Sequence, residues 1–193
     1  MEEKRRTHRV LIALCLGVVA LGCGGMKELI PAETYDADIE CGTVKAARTP
    51  RGKDCVTAEL ACGDSIVGTT EGGLSEYDDD FYSGDSFCSS LPDNYSGNER
   101  AYRFAMPANA EAVIVLDSAC GGDLDLIAMR WPETDSCPNI HHSLGQCDED
   151  DARGDGRIQL YSDKRQRNFV LVVEGKDGIG GEFGIKIDCW ERN

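Results

Sequence analysis

The residues able to do chemistry fall into a few groups, and most lack a partner. Ser65, in Gly63-Asp64-Ser65-Ile66, is a candidate nucleophile of the kind exposed on a strand-to-helix turn and served by an Asp-x-x-His base. The only histidines after the N-terminal segment are His141 and His142, and no carboxylate stands three residues before either. A catalytic set is therefore not assembled, and the chain reads as a non-enzyme. His141-His142 with Cys137, Cys147 and Asp148 offers zinc-type ligands, but adjacent histidines on a strand point to opposite faces, so one of them would ligate. In an oxidising compartment Cys137 and Cys147 read better as a disulfide around a nine-residue loop.

Two acidic clusters remain, Asp78-Asp79-Asp80 with Asp85, and Asp148-Glu149-Asp150-Asp151 with Asp155. Calcium takes six to eight oxygens, and loops that mix carboxylates with glycine supply them. Asp148, Asp150, Asp151 and Asp155 are the candidate calcium ligands, without EF-hand spacing. A solvated acidic loop is the commoner outcome for such a run, and no other cofactor is expected. Arg153-Gly154-Asp155 and the sequon Asn94-Tyr95-Ser96 are short enough to arise by chance.

The elements that must carry these residues belong to a chain of 193 residues with a net charge of −15. That length suits one ordinary domain with additional chain. So acidic a balance excludes nucleic acid as a partner, because phosphate neutralisation needs a lysine and arginine surplus.

Residues 2–9 are rich in basic groups and precede an apolar run from Val10 to Leu21. Twelve residues make a helix of only about 18 Å at about 1.5 Å per residue, short of the roughly 20 residues that span a bilayer. Basic start, short apolar core and small residues make a secretory signal. Ala20-Leu21-Gly22-Cys23 resembles the bacterial lipobox, in which cleavage precedes a cysteine that is then acylated. The resemblance implies a signal peptide over 1–22 and lipid on Cys23. Gly24 is similar to the second residue of lipoproteins sorted to the Gram-negative outer membrane, implying an envelope protein that is periplasmic or surface-exposed. Residues 1–22 hold four basic and two acidic groups, so the chain from Cys23 carries 16 against 33. Acyl chains, rather than a basic patch, would then hold it to the membrane.

Cysteine parity agrees. Of ten cysteines, Cys15 leaves with the signal and Cys23 takes lipid. Eight remain: Cys41, Cys55, Cys62, Cys88, Cys120, Cys137, Cys147 and Cys189. Eight suit four disulfides, for which 105 pairings exist. A local Cys41–Cys55 loop is expected, and proximity in a sandwich suggests Cys62–Cys88 and Cys120–Cys189.

Residues 23–58 read as a tether with short ordered structure. The domain over 59–193 alternates short apolar runs with Gly, Asp, Asn and Pro. Ala112 to Asp117 and Phe169 to Glu174 are continuous apolar strands, expected at sheet centres. Tyr102, Phe104 and Met106 alternate with Arg103 and Ala105, as Leu124, Leu126 and Ala128 do with Asp125, Ile127 and Met129. Phe183, Ile185 and Ile187 share one face of a third alternating strand, because side chains repeat every second residue. Ser65 to Thr70 and Arg157 to Tyr161 are further strands. Turns fall at Asn109-Ala110, Cys120-Gly121-Gly122-Asp123, Asp177-Gly178 and Gly180-Gly181. The fold class is all-β, a disulfide-stapled antiparallel β-sandwich after a signal peptide and tether.

The order of features from Cys62 to Cys189 resembles the bacterial pre-peptidase C-terminal domain, in the form found in myxobacterial lipoproteins. A strand leads into the Gly68-Thr69-Thr70-Glu71-Gly72 turn, and Tyr95-Ser96-Gly97 leads into Glu99-Arg100-Ala101-Tyr102-Arg103-Phe104. Then come Ala112 to Leu116, Asp123-Leu124-Asp125-Leu126, the Cys137–Cys147 loop with its acidic run, and a strand, Gly-rich turn, strand and Cys189. Leu124 stands where the family has Thr after Asp, and Asn168-Phe169 where it has Tyr-Tyr. The resemblance implies a jelly-roll-like, non-catalytic module, in some relatives a binder of collagen or polysaccharide and in some a carrier of calcium. The expected function is an envelope lipoprotein whose sandwich binds a protein, polysaccharide or matrix ligand. The alternative is a structural or assembly protein of the outer membrane, with a hydrolase a distant third.

Overall fold

The computed structural model describes residues 35–47, 55–83, 94–118, 120–131, 147–150 and 155–192. All of them fall within the unit Glu33–Asn193. The elements are β1 (Val56–Leu60), β2 (Ser65–Thr69), α1 (Asp79–Ser83), β3 (Arg100–Met106), β4 (Ala110–Asp117), β5 (Leu124–Arg130), β6 (Cys147–Asp150), β7 (Asp155–Tyr161), β8 (Arg167–Gly175) and β9 (Glu182–Glu191). They form a five-stranded sheet, β1-β3-β8-β5-β6, facing a four-stranded sheet, β2-β9-β4-β7. The all-β sandwich read from the alternation is the fold. Its ladders are antiparallel except for the β1–β3 pair, which is parallel.

The core between the sheets takes one face of each strand. Phe104, Met106, Leu124, Leu126, Leu171 and Val173 from the larger sheet meet Ile114, Leu116, Ile158, Phe183, Ile185 and Ile187 from the smaller. Period two puts these residues together and sends their neighbours outward. An alternating strand ordinarily turns its second face to solvent, and β5 does not. Ile127 and Met129 join Ala101, Val170 and Val172 under a second apolar layer of Tyr77, Phe81, Tyr82, Tyr95 and Trp131. The larger sheet is thus covered on both faces, which is why β5 and β8 are buried almost throughout.

The aromatic layer is laid down by a very short helix. Asp78 caps α1, accepting from the Phe81 N–H through its side chain at 3.0 Å and from the Tyr82 N–H through its carbonyl at 3.0 Å. The Asp79 carboxylate accepts the Tyr95 N–H at 2.9 Å and ties the incoming chain to the helix. Two members of the first acidic cluster are therefore structural.

Two disulfides join described residues, and both correct the expected pairings. Cys41 bonds Cys120 rather than Cys55, and Cys62 bonds Cys189 rather than Cys88. Cys55 is disulfide-bonded as well, to none of these four. The reason for Cys62–Cys189 is register. β2 runs antiparallel to β9 with Ser65 opposite Lys186, and stepping back three residues sets Cys62 opposite Cys189. Cys41–Cys120 pins a strap, residues 35–47, across the smaller sheet and the turn after β4. Cys23, Cys88 and Cys137 lie outside the described residues, as does the side chain of Cys147.

The strap lies on Gly184. A Cβ there would sit 2.3 Å from the Ala37 Cβ and 3.1 Å from the Tyr35 ring, so only glycine admits it. The Tyr35 hydroxyl bonds Ser65 Oγ at 2.7 Å, and the Ala37 N–H donates to Asp117 at 2.6 Å. The Gly42 and Val44 N–H groups donate to the Glu182 carboxylate at 2.7 and 2.8 Å. The strap residues, and Val56 to Ala58 of β1, fall in the segment expected to act as a tether.

Candidate functional site

Among the described residues, a group of buried ionisable side chains was not foreseen from sequence. It lies on the outer face of the larger sheet, beneath the aromatic layer. In the β3–β8–β5 register Asp125 stands opposite Glu174, and Glu99, one residue before β3, continues the same row on the other side. Three carboxyls thus line up across adjacent strands. Glu174 and Asp125 are fully buried and Glu99 is 2% exposed.

Each carboxyl has partners that fix its role. The Tyr82 hydroxyl donates to Glu174 Oε2 at 2.9 Å, and the Gly175 N–H donates to Oε1 at 3.2 Å. Asp125 Oδ2 pairs with Lys176 Nζ at 2.8 Å and accepts the Tyr95 hydroxyl at 2.8 Å. Glu99 Oε1 accepts the Glu76 N–H at 2.9 Å, and a backbone bridge joins Leu74 to Glu99. Glu99 Oε2 and the Tyr77 hydroxyl are buried without a hydrogen-bond partner among the described residues.

One ammonium cannot neutralise three buried carboxylates, so protons are retained. Burial, and then the charge of Glu99, pushes Glu174 up to about 9. Burial raises Glu99 to about 7 against the backbone N–H donors that favour its charged form. Burial and the Glu174 charge hold the Tyr82 hydroxyl well above the ordinary tyrosine value.

A protonated carboxyl hydrogen-bonded to tyrosine is a competent acid–base pair only if a substrate can reach it. Here Tyr82 is fully buried and Tyr95 is 2% exposed, so the row is sealed. It fastens α1 and the 94–99 segment to the sheet. Arg100, itself 2% exposed, performs a similar task between layers. Its guanidinium donates to the carbonyls of Thr69, Ala47 and Glu71 at 3.0, 3.0 and 2.8 Å, joining β3, the end of β2 and the strap.

Ser65 opens β2 with its hydroxyl bonded to Tyr35, and Asp64 accepts the Ala61 N–H at 2.7 Å. The candidate nucleophile therefore stands on a strand, not a strand-to-helix turn. His141, His142 and Asp151 lie outside the described residues. Asp148 and Asp150 lie in β6 at the edge of the larger sheet, and Asp155 begins β7. The side chains of these three are outside the described residues. Among the described residues the ligand atoms of Cys41, Cys120 and Glu182 come within 4.8 Å of one another. The two sulfurs are bonded to each other and the carboxylate holds two strap amides, so this group is a fastening. No helix among the described residues is long and apolar enough to cross a membrane.

No family model matches the chain. No curated protein sequence matches it either. Among solved structures it is similar to the pre-peptidase C-terminal domain of a Bacillus anthracis collagenase, at 12% identity and a TM-score of 0.38 over 68% of this chain and 94% of that one. It is also similar to PliG of Aeromonas hydrophila, a periplasmic inhibitor of g-type lysozyme, at 9% identity and a TM-score of 0.41 over 69% of this chain and 96% of that one. Likenesses this distant transfer neither activity nor partner.

Proposed function

We propose that this chain is an envelope lipoprotein, acylated on Cys23 and held at the outer membrane, whose disulfide-stapled sandwich is a non-catalytic module for a protein or glycan ligand. The observation that carries the non-catalytic reading is the sealed carboxyl row. The described groups most shifted toward acid–base work, Glu174 and Glu99, are shut away from solvent and bonded to the elements that cover them. Oxidised Cys41–Cys120 and Cys62–Cys189 support an extracytoplasmic setting, because such bonds persist there. The signal-like residues 1–22 and Gly22-Cys23 support the anchor.

Mass spectrometry of the protein from its own membranes tests the anchor, with diacylglyceryl and acyl mass expected on Cys23. An unmodified Cys23 or a different mature N-terminus overturns it. An esterase and protease panel is expected to show no turnover, and turnover lost on Ser65→Ala would return the chain to the hydrolases. Glycan arrays and pull-downs on envelope fractions test the binding role, for which a saturable ligand is expected.

A further inference from the structure

We propose that the Cys41–Cys120 disulfide is a reducible latch on the strap, and that it sets how far the sandwich can stand from its lipid anchor. This deepens the lipoprotein reading and rests on it for the anchor at Cys23.

The two disulfides that join described residues sit in different surroundings. Cys189 lies within β9, paired with Ala112 of β4, and both Cys189 and Cys62 pack against the core between the sheets. The Gly63 N–H donates to the Ile187 carbonyl at 2.8 Å, and the Ile187 N–H to the Asp64 carbonyl at 2.9 Å. Backbone bonds thus keep Cys62 beside β9 with or without the sulfur bridge.

Cys41–Cys120 runs instead from turn to turn. Cys41 is exposed in the Glu40–Thr43 turn, where Gly42 takes φ 84° and the Thr43 N–H donates to the Glu40 carbonyl at 3.1 Å. Cys120 is half-buried in a second turn, closed by the Gly121 N–H on the Ser118 carbonyl at 3.2 Å. Exchange requires an attacking thiolate to reach one of the sulfurs, so exposed disulfides are the labile ones.

What this bond holds is lightly built. No residue of 35–47 belongs to a strand or helix, and Ala37 is the only buried one among them. Without the disulfide the strap rests on its hydrogen bonds to Ser65, Asp117, Glu182 and Arg100. No ladder or apolar cluster stands in for the covalent bond, and chain entropy favours release.

Reach follows from counting. With the strap closed, 12 residue steps separate Cys23 from Tyr35, a span of at most about 40 Å. With it open, the next described residue is Cys55, buried and itself disulfide-bonded. It stands 32 steps from Cys23, a span of at most about 110 Å. A dithiol reductant opens the latch. One of its thiolates attacks a sulfur, the S–S bond breaks, and its second thiol resolves the mixed disulfide. The reductant leaves as a disulfide, and Cys41 and Cys120 each gain one electron and one proton.

The full chain from its own membranes, reconstituted into supported phosphatidylcholine bilayers, is treated with dithiothreitol and alkylated at intervals. Mass spectrometry of the labelled peptides is expected to show Cys41 and Cys120 reacting about tenfold or more faster than Cys62 and Cys189. Hydrogen exchange is then expected to rise at Ala37, Gly42 and Val44 while β4 and β8 stay protected. Neutron reflectometry is expected to find the protein layer displaced outward by about 10 Å, on flexible-chain scaling of the freed residues. Cys41→Ser with Cys120→Ser takes the displaced position with and without reductant. Equal reduction of the two bonds, strap amides that stay protected once Cys41–Cys120 is open, or an unmoved layer overturns the proposal. Acyl mass on Cys23 is scored on the same sample. An unmoved layer with acylated Cys23 sinks the latch and leaves the anchor, whereas an unmodified Cys23 sinks the anchor and the reach with it.

Discussion

The Tyr82 hydroxyl is the donor in a 2.9 Å hydrogen bond to Glu174 Oε2, which fastens a five-residue helix to the centre of a five-stranded sheet. α1 is too short to hold its shape by its own backbone bonds. Its position depends on this bond, on the Asp78 cap and on the burial of Tyr77, Phe81 and Tyr82.

Removing that hydroxyl has a definite cost. Tyr82→Phe keeps the ring packing and leaves Glu174 Oε2 without its donor in a dry site, so unfolding free energy falls by about 1–3 kcal/mol. Urea denaturation followed by far-ultraviolet circular dichroism measures it. A variant as stable as the parent would show that packing alone seats the helix.

Stability falls as pH rises. Glu174 titrates at about 9 in the folded protein against an ordinary 4.5. Between those values the unfolded chain gives up the proton that the folded chain keeps. Stability is therefore highest below pH 4.5 as far as this group decides it, declines through neutrality and levels above about 9. Glu99, at about 7, adds to the lower part of that decline. Melting at pH 5, 7 and 9 is expected to show a falling midpoint, about 2–4 °C for each kcal/mol. Glu174→Gln flattens the curve, and a parent midpoint that rises with pH refutes the retained proton.

Much of this fold can be read from residue order. The alternation of Phe183, Ile185 and Ile187 and the runs at Ala112 and Phe169 become β9, β4 and β8 because period two needs only local information. Asn109 and Asp177-Gly178 turn at positive φ, as their residue types suggest. What sequence hides is register and cover. Asp125 and Glu174 mark the ends of apolar runs, yet nothing local says that they stand opposite each other with Glu99 in line. The cover over Ile127 and Met129 comes from Tyr77, Phe81, Tyr82 and Tyr95, in a stretch without a long period. Cysteine pairing fails for the same reason, since Cys62–Cys189 follows from a ladder joining distant strands.

That disulfide closes a loop with a sequence separation of 127. Replacing both cysteines with serine frees a long stretch of the unfolded chain, a loss of roughly 4–5 kcal/mol on the chain-entropy view. Guanidinium titration of Cys62→Ser/Cys189→Ser reads it directly. A loss below about 1 kcal/mol would mean that the β2–β9 ladder already supplies the constraint.

The strap separates from the sandwich without unfolding it. Cys41→Ala/Cys120→Ala leaves residues 35–47 held by Tyr35–Ser65, by the Ala37 N–H on Asp117, by the two amides on Glu182 and by Arg100 on the Ala47 carbonyl. Gly184→Val attacks the same strap from below, because its Cβ would overlap that of Ala37. Gly184 sits in β9 between Val67 and Asp117, and its side-chain direction is outward, so the core residues Phe183 and Ile185 need not move. In both variants hydrogen exchange at Ala37, Gly42 and Val44 is expected to rise by at least tenfold, because the strap opens more often and each opening breaks the bonds of those amides to Asp117 and Glu182, while β4 and β8 stay protected. Combining the two substitutions is expected to expose the strap to protease cleavage. Exchange that accelerates equally in β8 would show that strap and sandwich unfold as one cooperative unit, and the strap would then be an integral layer of the fold.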